Sequence, residues 1–495
     1  MLRNNVIANY TGQLWTAVMS IVFVPVYIKF LGIEAYGLVG LFSSLLIWLH
    51  LLDMGLAPTL NREMSRFSEG AQADISIINL LRSVEIISLG LGLLVFITIL
   101  SSTDWLANFW IKSSEISAGV VASSLSIMGF VASLRFLEGI YKSCMLGLQR
   151  QVLLNVIVTC LSTLRGLGAA LVIIYISPTI IAFFVWQAIV SILSVLIFSI
   201  VTYRSLPFTW TEGRFSLPEL KRVSRFTSGI IGLTFLSVFV SQFDKLILSG
   251  LVGLDEYGYY TLATLLAGTL YMTASPITQA FYPQMCGLFA IKETKKIEDI
   301  YHIGSQMITL VSGTVALMLF FYADLMLFLW TGDRELADKV APLLSILAVG
   351  NLLSILNYMP HHLQLASGWT SLAFRLNLFG CFLIVPTILV LTPMFGGIAA
   401  ALTWLGFTLL YLPASVFFMN KKILRGVHTR WFIYDVLIPL CGGLAAIVLT
   451  KVTLSFDGSI ISQFSLLFLS GVLTLSVSAV LTPIGRKKAA LMFTL

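Results

Sequence analysis

The sequence predicts an all-α polytopic membrane protein with about fourteen transmembrane helices. Hydrophobic residues make up 58% of the 495-residue chain and charged residues 11%, whereas soluble domains carry roughly 25% charged residues. Apolar runs of about 20 residues recur along the chain, and each is long enough to cross the hydrocarbon core as a helix. One short segment is found twice, which predicts two pseudo-symmetric six-helix bundles around a central cavity, followed by a C-terminal helix pair.

Charged clusters and turns rich in proline and glycine separate the apolar runs from one another. The first run begins within ten residues of Met1 and lacks a small-residue cleavage site, so we interpret it as a retained helix and not as a signal peptide. The predicted spans are 6–29, 38–60, 77–100, 116–140, 152–175, 180–203, 226–250, 259–284, 304–329, 341–366, 372–392, 397–419, 433–455 and 461–483.

The basic residues are divided unequally between the two sets of connecting loops. The predicted external loops hold Lys29, Lys112, Arg334 and Lys339. The alternate loops hold basic clusters within 204–225, 292–296, 421–430 and 486–488. Lysine and arginine concentrate in cytoplasmic loops, so both termini are predicted to lie in the cytoplasm. The net charge of +7 therefore reflects membrane topology and does not indicate a nucleic-acid partner.

The repeated segment is FLGIEAYGLVGLF at residues 30–42, which returns 221 residues later as LVGLDEYGYYTLA at residues 251–263. Both copies follow the first helix of a six-helix set, and an even number of helices separates them, which indicates a parallel repeat. Alternatively, glycine and tyrosine simply favour interfacial turns. The offset also aligns Met64 with Met285 and Gly147 with Gly368, which supports the repeat. The predicted parts are 1–203, a cytoplasmic linker 204–225, 226–419, and 420–495 with the last two helices and a basic tail.

Ionisable residues inside predicted spans are candidates for a functional site, because each costs about 2.5 to 3.5 kcal/mol at the centre of a membrane helix. Arg165 is near the midpoint of its span and has little scope to reach the interface. Arg135 and Glu138 are three residues apart and share one helix face. Arg165 either lines the cavity or makes a structural pair, and Arg135 and Glu138 either face the cavity or pair with each other.

Asp244 and Lys245 are a second candidate pair, in the stretch SQFDKLIL. Adjacent residues of a helix point about 100° apart. We therefore expect that these two side chains do not pair with each other and that one of them faces the cavity.

Prolines inside the spans are candidate hinges, since a proline frees a backbone carbonyl and permits bending. They are Pro25 in the first span and Pro276 and Pro283 in the eighth. Proline is also common in membrane helices without a mechanical role. The five cysteines have no C-x-x-C spacing and no histidine at metal-binding spacing, so no metal site is predicted.

The first copy of the repeat, followed by LLDMGLAPTLNREMSRF, resembles the N-terminal region of the Wzx-type polysaccharide flippases. This family forms the polysaccharide transporter branch of the MATE-like exporter superfamily. The resemblance implies a multi-pass protein of the bacterial inner membrane that moves undecaprenyl-diphosphate-linked O-antigen or similar repeat units outward. It also implies contact with membrane lipid and with other polysaccharide assembly proteins, and no cofactor beyond a coupling H⁺ or Na⁺.

Under this resemblance, the intramembrane charges acquire expected roles. Arg165 and Arg135 would donate to the pyrophosphate, and the substrate cavity would also include Glu138, Asp244 and Lys245. The carboxylates to examine for ion coupling are Asp53, Glu138 and Asp244.

Other functions stay open at this point. A lipid II flippase or a multidrug/cation antiporter would share the superfamily, although drug exporters usually have fewer helices. A membrane-embedded glycan-processing enzyme is an alternative of another class. Such an enzyme needs a catalytic group of residues on a long external loop, and the predicted external loops are short, so a non-enzymatic role is expected.

Overall fold

A computed structural model describes residues 2–52, 55–68, 74–207, 212–455 and 458–482, and these residues are overwhelmingly α-helical. The only strand-like feature among them is an isolated bridge between Lys112 and Gly253. The helices are α1 (Leu2–Val22), α2 (Val24–Leu31), α3 (Ile33–Leu52), α4 (Leu56–Ser68), α5 (Asp74–Trp105), α6 (Ala118–Gly147), α7 (Gln151–Tyr175), α8 (Ile180–Arg204), α9 (Leu217–Leu251), α10 (Leu254–Ala290), α11 (Thr294–Phe321), α12 (Ala323–Thr331), α13 (Arg334–Leu356), α14 (Tyr358–Ala366), α15 (Ser371–Lys422), α16 (His428–Arg430), α17 (Ile438–Thr453) and α18 (Ile460–Leu481). Wider π-helical turns follow α5 at Leu106–Trp110 and α16 at Trp431–Leu437.

The helices have the length and hydropathy of a polytopic membrane protein. Ten segments of the described residues are long and apolar enough to cross a membrane. The continuous 52-residue α15 bends at Gly396, whose φ is 56° and ψ is −138°. This bend falls between the predicted spans 372–392 and 397–419, so the all-α polytopic class is confirmed and the helix count is compatible with the prediction.

The chain divides into two compact units, Met1–Gly258 and Tyr259–Leu495. In the first unit, α6 packs against α3, α4, α5, α7 and α8, which makes it the central helix of that unit. In the second unit, α11 packs against α12, α13, α14, α17 and α18. The predicted linker 204–225 and the predicted central cavity stay predictions.

The two copies of the repeated segment meet within the first unit. A Cβ atom on Gly37 would lie 2.5 Å from the carbonyl oxygen of Leu254, and one on Gly258 would lie 2.5 Å from that of Ile33. The relation is reciprocal, because the glycine of each copy lies against the first helical residue of the other, as in a contact across a two-fold axis. Only glycine permits so close an approach of two backbones.

Glu34 of the first copy fastens this contact to the loop after α5. Its carboxylate accepts hydrogen bonds from the backbone and hydroxyl groups of residues 113–116, at 2.6 to 3.2 Å. The same loop reaches the second copy, since the Leu254 amide donates to the Lys112 carbonyl at 2.8 Å. The Lys112 ammonium donates to the Leu251 carbonyl at 2.9 Å.

The candidate hinge prolines lie in different local structures. Pro25 is in the first turn of α2, directly after the break that separates α1 from α2 at Phe23. Pro276 and Pro283 lie inside α10, which continues as a helix through both. A hinge role for these residues stays a prediction.

Replacing Gly258 by alanine tests the close contact between the two copies. The added methyl group overlaps the Ile33 carbonyl, so we expect the G258A variant to lose about 1 to 3 kcal/mol of stability through overpacking. The measurement is the midpoint of thermal unfolding of the detergent-solubilised protein.

The matched control is Gly268→Ala, on the same helix, where a Cβ atom meets nothing within 4 Å. That variant is expected to unfold at or above the wild-type temperature, because alanine is the better helix former. Equal midpoints for the two variants would contradict the described packing.

A buried charge cluster as the candidate substrate site

A row of charged residues on α6 forms the core of the candidate site. Arg135, Glu138 and Lys142 are spaced three and four residues apart and therefore share one face of the helix. This face lies inside the first unit because α6 is surrounded by other helices. The Glu138 side chain is 2% exposed. A carboxylate buried this deeply requires cationic partners.

Two cations hold the Glu138 carboxylate. Oε1 lies 2.6 Å from the Lys142 ammonium, and Oε2 lies 2.6 Å from Nη2 of Arg165 on α7. The same Nη2 also donates to the Ser194 hydroxyl on α8 at 2.7 Å. The guanidinium therefore joins three helices through short polar contacts.

Arg135 has a neutral partner instead of a carboxylate. Its Nη2 donates to Gln187 Oε1 at 3.3 Å, and Gln187 Nε2 donates to the Arg165 carbonyl at 3.4 Å. The neighbouring Trp186 donates to the Leu164 carbonyl at 2.9 Å. The ring of Trp186 also lies against Gly168, so a residue with a side chain would not fit in place of Gly168.

We call Arg135, Glu138, Lys142 and Arg165 the α6–α8 charge cluster, together with Gln187 and Ser194 of α8. It contains three cations and one carboxylate, which leaves a surplus of two positive charges. The Nε groups of Arg135 and Arg165 are buried and have no hydrogen-bond partner among the described residues. Arginine groups with unused donors are suited to bind an oxyanion such as phosphate.

The structure brings together the predicted residues Arg135, Glu138 and Arg165. It places Asp244 and Lys245 on α9, where the Lys245 ammonium lies 3.2 Å from the Asp244 carboxylate. The expectation that these neighbours do not pair is therefore wrong. The long lysine stem folds back along the helix, and both side chains are less than one-fifth exposed, an environment that favours pairing of opposite charges.

Other predicted roles stay predictions. Asp53 lies outside the described residues. Glu138 and Asp244 both have cationic partners, and a role in ion coupling stays a prediction for both.

Lys142 and Ser194 are not among the predicted site residues. Lys142 falls outside the predicted span 116–140, whereas α6 continues to Gly147. Its spacing of four residues from Glu138 is the signal that identifies the pair. Ser194 carries no such signal, because its partner belongs to a different helix.

The chain is similar to proteins of polysaccharide biosynthesis. Residues 2–289 match the family described as polysaccharide biosynthesis protein. The lipopolysaccharide biosynthesis protein WzxC of Escherichia coli K12 is 23% identical over 237 residues, which is 48% of this chain and 47% of that protein. A putative O-antigen transporter of Shigella flexneri is 19% identical over 377 residues, which is 76% of this chain and 87% of that protein.

Solved structures share the fold at low sequence identity. The lipid II flippase MurJ, in an inward closed conformation, superposes with a TM-score of 0.70 and 14% identity, covering 96% of this chain and 98% of that one. A MATE-family multidrug transporter in an inward-facing conformation gives a TM-score of 0.64 and 15% identity, covering 85% of this chain and 96% of that one.

Replacing Glu138 by glutamine tests whether burial makes its ion pairs essential. The E138Q variant leaves Arg165 and Lys142 without a counter-charge, so we expect a loss of about 3 to 5 kcal/mol of stability. The measurement is the midpoint of thermal unfolding in detergent at neutral pH.

A pair of the same spacing at the surface provides the control. Glu335 lies 2.8 Å from Lys339, four residues later on α13, and the Glu335 side chain is 80% exposed. We expect Glu335→Gln to unfold like the wild type, because solvated ion pairs contribute little. Equal losses of thermal stability in both variants would show that burial does not determine how much the ion pairs of Glu138 contribute to stability.

Proposed function

We propose, from the premise that this chain belongs to the polysaccharide biosynthesis protein family, that it is a flippase for undecaprenyl-diphosphate-linked oligosaccharide repeat units. It moves O-antigen or similar units from the cytoplasmic to the external leaflet of the bacterial inner membrane by alternating access. The observation that carries this proposal is the α6–α8 charge cluster, a surplus of positive charge held within membrane-spanning helices.

The charge of the cluster complements that of a lipid diphosphate. A diphosphate that bridges a lipid and a sugar carries one negative charge on each phosphate, which equals the positive surplus. Arg135 is the first residue to bind it, because its only described hydrogen-bond partner is the neutral Gln187. Arg165 then donates a further hydrogen bond to the diphosphate from its Nε group, which has no other partner among the described residues.

Glu138 has a second role in this proposal, as the resident counter-anion. When no cargo is bound, its carboxylate partly neutralises the three cations and keeps them in place. An arriving diphosphate adds the missing negative charge without displacing Glu138. The site is therefore held in position before binding, which reduces the entropy lost when the ligand binds.

The remaining parts of the cargo meet other surfaces. Gln187 of the cluster offers an amide to a sugar, and the neighbouring Trp186 offers an aromatic face. The polyprenyl chain stays in lipid, where its transfer requires no polar site. Both termini lie in the cytoplasm in this proposal, which is supported by the basic loops 292–296 and 421–430.

The decisive experiment is mass spectrometry of polyprenyl-linked glycans in the source bacterium with and without the gene. Intact cells are first treated with a membrane-impermeant periodate, which oxidises only the sugars that face outward. We expect the deletion strain to accumulate complete, unpolymerised units that are protected from periodate. Normal exposure of these units in the deletion strain would refute the proposal.

Arg135→Gln separates binding from stability. Removing this guanidinium leaves no buried carboxylate unpaired, so the R135Q protein is expected to unfold near the wild-type temperature. Its transport activity falls by about tenfold to a hundredfold, the effect of losing a charged hydrogen bond of about 1.5 to 3 kcal/mol. R135K keeps the positive charge but not the planar guanidinium group, so its transport activity should lie between those of the wild type and R135Q.

Two measurements check this prediction. Complementation of the deletion strain measures transport by periodate exposure, and thermal unfolding with added farnesyl diphosphate measures binding. Farnesyl diphosphate should stabilise the wild type and leave R135Q unchanged. Arg334→Gln, which removes an arginine with exposed partners on α13, is the control and should behave like the wild type in both assays.

A further inference from the structure

A second buried polar cluster lies in the other unit, between α11 and the π-helical turn Trp431–Leu437. Asp435 in this turn has a side chain that is 1% exposed. Its Oδ1 accepts a hydrogen bond from Gln306 Nε2 at 2.7 Å, and its Oδ2 contacts Nδ1 of His302. A π-helical turn interrupts regular helix geometry and is often found at functional sites.

The charge of Asp435 is not balanced by a permanent cation in direct contact. Gln306 is neutral, and His302 is charged only when it is protonated. Burial of a carboxylate without a counter-charge is strongly unfavourable. The pair as a whole becomes neutral only when it binds one proton.

The second ring nitrogen of His302 is available to bind that proton. Nε2 is buried and has no hydrogen-bond partner among the described residues. Oε1 of Glu298, one turn earlier on α11, lies 3.9 Å away. Glu298 is 35% exposed and lies 3.5 Å from the guanidinium of Arg430, which is also exposed. The groups thus form a line from solvent to Asp435.

The other titratable groups around α11 lie elsewhere or are part of this line. Tyr301 adjoins His302, with the two ring centroids 5.7 Å apart. On α14, His361 and His362 contact each other, and His362 also contacts Tyr282 and Tyr358.

The charged residues of α12, α13 and α17 lie at the opposite end of α11. There Asp324 pairs with Arg334, and the Lys451 ammonium donates to the Phe321 carbonyl. Helix α18 carries no charged residue over Ile460–Leu481.

We propose that His302 and Asp435 form a proton-binding site that is reached through Glu298. A proton from solvent first binds the Glu298 carboxylate and then passes to Nε2 of His302, while the Nδ1 proton stays shared with Asp435. The resulting imidazolium lies between two carboxylates and neutralises the buried one. Proton binding strengthens the attachment of the π-helical turn to α11, and proton release weakens it.

The site differs from the α6–α8 charge cluster in location and ligand. Its ligand is a proton, and its residues belong to the second unit. The proposal does not depend on the cargo or on the proposed flippase activity. It can therefore be tested, and can fail, without any substrate.

The direct test is ¹⁵N NMR of the histidine-labelled protein in liposomes between pH 5 and 8. The chain has five histidines, and His302→Gln identifies the resonances of His302. We expect its Nε2 signal to change from the unprotonated to the protonated type as the pH is lowered. In Glu298→Gln, the imidazolium fraction at pH 6 should fall at least threefold, because one flanking carboxylate is lost.

A purely structural role is distinguished by a matched pair of variants. Gln306→Leu removes the other donor to Asp435 but no titratable group, so its thermal unfolding midpoint should fall and still vary with pH. In His302→Asn combined with Asp435→Asn, amides replace the imidazole and the carboxylate, no titratable group of the pair remains, and the pH variation of the midpoint should be lost. A single protonation state of His302 from pH 5 to 8, or equal pH variation in both variants, would overturn the proposal.

Discussion

Burial of the Glu138 carboxylate is the constraint on which the organisation of the first unit depends. An ion of this kind is stable inside an apolar bundle only where cations reach both of its oxygens. Those cations come from α6 itself and from α7, and the arginine is held in turn by Ser194 of α8. Through these contacts the carboxylate and its arginine partner link α6, α7 and α8.

The same constraint bears on the proposed anion site inside the helix bundle. Three cations without a counter-charge would repel one another and would be unstable away from water. One carboxylate partly balances them and leaves the positive surplus on which the proposed binding of a diphosphate rests. Arg135 contributes to the surplus without being paired to Glu138. In the proposed mechanism, stability and binding therefore depend on different side chains of one cluster.

Sequence reasoning succeeded where a property is local or periodic. Composition and apolar length identify the membrane helices, and spacing on one helix relates Arg135 to Glu138. A contact whose partner lies elsewhere in the chain is not predicted in this way, nor is a helix that continues past its apolar run, as α6 does at Lys142. His302 and Asp435 are 133 residues apart, and neither belongs to a pattern with the other. Contacts of this kind depend on how helices pack, which one sequence does not specify.

The repeated segment shows why a chain keeps two copies of one turn. Each copy supplies a glycine that has no room for a side chain and a backbone carbonyl that occupies the space. Each copy must supply both a glycine and a carbonyl. Replacing the glycine of either copy by alanine would therefore place a methyl group against the backbone carbonyl of the other copy. Glu34 and the loop at residues 112–116 then bind both copies through backbone groups. The glycine of each copy is thus required by a direct physical contact with the other copy.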